Sequence, residues 1–76
     1  MTTALTNNIK EVVIPEINSK LAENPDKALI KLPKYEYLGW RDLAVECLRK
    51  ILVEHQYSVN VNKEDPDLLL ILKQNF

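Results

Sequence analysis

The chain has 76 residues, enough for one small domain at the usual ~100–200 residues per domain and too few for two. With 46% apolar and 28% charged residues it has the make-up of a folded domain rather than an obligately disordered one. Ten Lys and Arg against eleven Asp and Glu leave a formal charge of -1 and a pI near 5.7, which excludes a strong overall field for nucleic acid or anionic lipid.

Four prolines, Pro15, Pro25, Pro33 and Pro66, punctuate the chain. Before Pro25, the residues Leu5, Ile9, Val12, Val13, Ile14, Ile17 and Leu21 recur at helical spacing, predicting a first helix over about 5–22. Pro15 lies inside that pattern. It lacks an N–H and clashes with the preceding turn, so a kink is expected, or a restart with Pro15 as the first residue of a new segment. The β-branched run Glu11–Ile14 offers a short strand as the competing reading.

Asn24-Pro25-Asp26 has turn chemistry, and the short apolar run that follows, ended by Pro33, predicts a strand over about 28–32. From 40 to 55, Trp40, Leu43, Ala44, Cys47, Leu48, Ile51 and Leu52 fall at steps of three and four, marking a second helix. Tyr57–Asn62 alternates apolar and polar residues, as a strand with one buried face does. After the turn Lys63–Asp67, the unbroken aliphatic run Leu68–Leu72 predicts a third strand over about 67–73.

The order α-β-α-β-β predicts an α+β two-layer sandwich. Its most apolar strand lies in the centre of a three-stranded antiparallel sheet of order 1-3-2, and both helices cover one face. A core of this size leaves a net stability on the order of 3–5 kcal/mol, so self-association would help it. The two helices leave the second sheet face uncovered. An even-length hairpin loop would turn Tyr57, Val59, Val61, Leu68, Leu70 and Leu72 toward the helices and Leu69 and Ile71 outward. Leu29 would join them, rimmed by Lys31, Lys73, Ser58, Asn60 and Asn62. An odd loop reverses the parity of the third strand and still leaves large aliphatic residues outside. Such a face marks a partner or subunit contact, unless the N-terminal segment or the tail Gln74-Asn75-Phe76 folds across it.

Chemistry is sparse. Cys47 is the only cysteine and Gly39 the only glycine. That removes disulfide scaffolds, thiolate zinc sites, phosphate-cradling loops and dinucleotide fingerprints. Cys47 and His55 lie about 80° apart around one helix and more than two turns apart along it, too far to form a local pair. Ser19 and Ser58 have no local base, so a triad using His55 would need tertiary contacts. Glu64, Asp65 and Asp67 gather in a turn without the glycine and terminal glutamate of a calcium loop. The expectation is therefore no enzyme, no metal and no cofactor. The lone cysteine, the polar start and the absence of a run of about 18 apolar residues predict a cytoplasmic protein with no membrane contact.

One segment is unusual. Lys27, Lys31, Lys34 and Arg41 against Glu36 alone give it a local charge of +3, interleaved with Tyr35, Tyr37 and Trp40. Aromatic side chains among cations suit an anchor in a protein interface or stacking on unpaired bases, or they simply plug the end of the sheet. Glu54–Asp67 carries a charge of -3, so the two segments could attract each other in an assembly. The expected function is a non-enzymatic interaction module, as a homodimer, adaptor or inhibitor, with single-stranded nucleic-acid binding through 27–41 as the alternative. The expected contact residues are Lys34, Tyr35, Tyr37, Trp40 and Arg41 at the end of the sheet, and Leu69 and Ile71 on its open face.

Overall fold

A computed structural model describes residues 3–74. Its elements are α1 (Thr3–Asn8), a π-helical stretch (Ile9–Val13), α2 (Ile14–Glu23), β1 (Lys27–Lys31), α3 (Trp40–Val53), β2 (Tyr57–Val61) and β3 (Leu68–Lys73). The fold is α+β, with an antiparallel sheet of order β1-β3-β2.

The first helical arm restarts beside Pro15, one of the two outcomes expected there: the π-helical stretch ends at Val13 and α2 begins at Ile14, and no strand forms at Glu11–Ile14. The backbone stays in the right-handed helical region at Asn8, Val13 and Ile14, and the Ile14 N–H donates to the carbonyl of Ile9, five residues back. That wider turn lets the chain enter α2 with Pro15 in its first turn, where the missing N–H costs nothing. It also serves packing. Leu5, Ile9, Val13 and Ile17 are all buried at strict four-residue spacing. In a regular α-helix that spacing drifts about 40° per step. The wider turn takes up part of the drift, so all four keep one stripe.

Asn24 Oδ1 accepts from the Asp26 N–H at 3.1 Å and turns the chain into β1. Gly39, at φ 89°, supplies the left-handed residue that opens α3. After α3, Gln56 takes φ 65° and donates its N–H to Val53, reversing the chain into β2. On α3 the buried stripe is Ala44, Val45, Leu48 and Leu52, while Leu43, expected inside, is 42% exposed at its margin. Cys47 is partly buried against the core.

The hairpin fixes which side of β3 is dry. Asn62 pairs with Leu68, leaving a five-residue turn, 63–67. Asn62 Oδ1 accepts from the Glu64 and Asp65 amides at 2.8 and 3.0 Å, and Asp65 Oδ1 accepts from the Asp67 amide at 3.2 Å. The count is odd, so Val59 lies opposite Ile71 and Val61 opposite Leu69. Leu69 and Ile71 are therefore fully buried, together with Ala28, Ile30 and Val59, in one cluster with the buried residues of both helices. The expectation that Leu69 and Ile71 face outward is corrected: side-chain alternation along β3 turns Leu68, Leu70 and Leu72 to the other side.

Candidate functional site

The side of the sheet away from this core is built from three cross-strand rows. Lys27, Leu72 and Ser58 form the first, Leu29, Leu70 and Asn60 the second, and Lys31 and Leu68 with Asn62 the third. A leucine stripe thus runs down β3 and spills onto β1, where Leu29 is 52% exposed. Leu68, Leu70 and Leu72 are half-buried, by each other and by the adjoining strands.

Lysines flank the stripe on the β1 side. On the β2 side lies a hydrogen-bonded polar strip. Asn60 Nδ2 donates to Ser58 Oγ at 3.0 Å and to the Leu70 carbonyl at 3.2 Å, and Gln74 Nε2 donates to Ser58 Oγ at 2.8 Å. The Asn60 and Gln74 amide donors are thereby used within the strip, and among the described residues the leucines form the apolar part of this side. The buried residues of the described N-terminal arm, Leu5, Ile9, Val13 and Ile17, belong to the core cluster on the other side. Of the tail, Gln74 joins the polar strip, and Asn75 and Phe76 lie outside the described residues.

The aromatic-basic loop closes one end of the sheet. Tyr35 and Trp40 meet edge to face with centroids 6.1 Å apart, and Tyr37 lies 4.7 Å from Trp40. Tyr35 is half-buried and its hydroxyl donates to Asn8 Oδ1 at 3.0 Å, tying the loop to the first helical arm. Burial pushes the Tyr35 phenol above its ordinary pKa. Tyr37 is 57% exposed and Leu38, the residue before Gly39, is fully exposed. Lys34 and Arg41 rim a shallow groove of about 570 Å³ between this loop and Asp67.

The loop therefore divides: Tyr35 and Trp40 plug the fold, while Lys34, Tyr37 and Arg41 stand at the surface. Leu38 gave no signal in the sequence, because a single exposed leucine in a turn has no periodicity to reveal it. Leu68, Leu70 and Leu72 were legible as aliphatic strand residues and were assigned to the wrong side.

The opposite charges of 27–41 and 54–67 meet inside one chain. Because β1 is antiparallel to β3, the end of β1 lies beside the hairpin turn. Lys31 Nζ reaches Asp65 Oδ2 at 3.2 Å, and Arg41 approaches Asp67 at 3.8 Å. The Lys31 ammonium, helped by the Asp67 amide, holds the Asp65 carboxyl below the usual carboxylate range. These pairs use up much of the charge that the sequence offered to a partner.

Among the described residues no three His, Cys, Asp or Glu side chains converge to hold a metal, and no helix is long and apolar enough to cross a membrane. Neither a known protein family, nor a curated protein, nor a solved structure matches this chain.

Proposed function

We propose that this is a non-enzymatic protein-interaction module, cytoplasmic by its single cysteine, that works by contact through the open sheet face. The observation that carries the reading is the stripe Leu29, Leu68, Leu70 and Leu72 on the side of the sheet away from the core. Contiguous aliphatic side chains between lysines and amides have the make-up of an interface, with an apolar centre and a polar rim. Tyr37 and Leu38 at the loop tip extend the accessible apolar surface at one end of the molecule. Binding of single-stranded nucleic acid is the weaker reading, since Lys31 and Arg41 face carboxylates of the same chain.

The test is photo-crosslinking in the native cell with a benzophenone side chain at position 70, and at position 20 on the exposed surface of α2 as the control. Protein adducts from position 70 and none from position 20 support the reading. No adduct from position 70, or adducts with nucleic acid alone, overturn it.

A further inference from the structure

The sheet has two free edges, and the chain treats them differently. Leu32 donates its N–H to the Asp67 carbonyl and Lys73 donates to the carbonyl of Asp26, so on β1 it is the even-numbered residues that bond to β3. The N–H and C=O groups of Lys27, Leu29 and Lys31 therefore point out of the sheet, and among the described residues none bonds to them. The same parity turns the backbone of Tyr57, Val59 and Val61 outward on β2. There Arg49, from α3, donates its Nε to the Val59 carbonyl at 3.3 Å. α3 thus occupies the middle of the β2 edge, while β1 offers regular extended backbone with Leu29, 52% exposed, at its centre.

An unpaired strand edge takes up another strand through main-chain hydrogen bonds, and the side chains that come opposite decide which strand fits. A residue bonded to Lys27, Leu29 or Lys31 would lay its side chain on the outer side of the sheet, beside theirs. A second copy of β1 is disfavoured by charge, because antiparallel pairing about Leu29 sets Lys27 against Lys31 of the other chain. The lysines that guard the edge against its own kind leave it open to a strand of opposite charge. Lys31 already holds Asp65, whereas Lys27 has no ion pair among the described residues, so the selecting charge is Lys27. An apolar side chain opposite Leu29 would lengthen the Leu29–Leu70 row by one strand.

We propose that the outer edge of β1 accepts an extended peptide segment as a fourth strand, with a carboxylate side chain opposite Lys27 and an apolar one opposite Leu29. The edge backbone supplies these contacts independently of the half-buried leucines of β3, so the site goes beyond the open face.

An amide NMR titration of the folded chain tests it. The probe is a capped heptapeptide of threonines with glutamate at its second and sixth positions and leucine at its fourth, which presents the same pattern in either direction; the control carries lysine in place of glutamate. The acidic peptide should shift the amide signals of Lys27, Leu29 and Lys31, slow their exchange with solvent, and saturate with a dissociation constant of about 0.1–1 mM. The lysine peptide should bind about 3-fold more weakly or worse, and Lys27→Glu, an exposed change checked for folding by circular dichroism, should reverse that preference. No response of the β1 amides at about 2 mM acidic peptide overturns the proposal. Equal binding of the two peptides overturns it as well, and so do shifts confined to β2. A silent β1 edge together with protein adducts from position 70 would remove this site and leave the open-face reading standing.

Discussion

The two faces of β3 carry the same residue types and live in different surroundings. Leu69 and Ile71 have no exposed surface, while Leu68, Leu70 and Leu72, their immediate neighbours in the chain, lie half-buried on the side away from the core. On a central strand, then, the hydrophobicity of a residue does not tell its role; its parity does. One face carries the core and the other lies outside it, so the two should separate when the same substitution is made on each.

The largest separation is expected from that experiment. Leu69→Ala empties a fully enclosed site and should cost about 2–5 kcal/mol in urea unfolding, comparable with the whole stability of so small a domain. Leu70→Ala, one residue along, should cost about 1 kcal/mol or less in the dilute monomer, since water already reaches the site. Equal losses at the two positions would mean that the two sides of β3 are packed alike.

A smaller contrast comes from the two tyrosines of the loop. Tyr35→Phe removes the hydrogen bond to Asn8 and should cost about 0.5–1.5 kcal/mol, whereas Tyr37→Phe should leave the unfolding midpoint unchanged. The Tyr35 phenol also has a sign that can be checked. Its pKa is raised in the folded chain, so the folded state keeps the proton while the unfolded state loses it above about pH 10. The stabilising contribution is full below that pH and declines as pH rises through the folded-state value. Unfolding melts from pH 8 to 11 should show an alkaline loss that is reduced in Tyr35→Phe.

How the sequence announced each feature follows the same division. The strand and helix positions were readable because Pro25, Pro33 and Pro66 set the turns and the apolar period changes from helical to alternating between α3 and β2. The order β1-β3-β2 followed from placing the greasiest strand in the middle. The parity of β3 was not readable, because five aliphatic residues in a row carry no alternation. It was settled by side-chain hydrogen bonds in the turn, where Asn62 and Asp65 hold five residues instead of an even number. The cis pairing of Lys31 with Asp65 was implied by the strand order and was overlooked, since an antiparallel β1 must end where the hairpin turns. The π-helical turn had only an indirect trace, the strict four-residue spacing ahead of Pro15.

The smallest expected effect lies at the rim of the open face. Asp65 has a lowered pKa through Lys31, so its contribution to stability is present above the unfolded value and is lost as pH falls through the folded one. A carbon-detected titration should find the Asp65 carboxyl ionising below the ordinary range in the native chain and moving back toward it in Lys31→Met. An unchanged titration in Lys31→Met would remove the ion pair from the account of that rim.

The difference between the two faces can be read directly by solvent paramagnetic relaxation of leucine and isoleucine methyl groups in dilute protein, with a soluble gadolinium chelate. The account predicts strong relaxation at Leu29, Leu68, Leu70 and Leu72 and almost none at Leu69 and Ile71. Leucine methyls at 68, 70 and 72 as shielded as those of Leu69 in the isolated chain would contradict it.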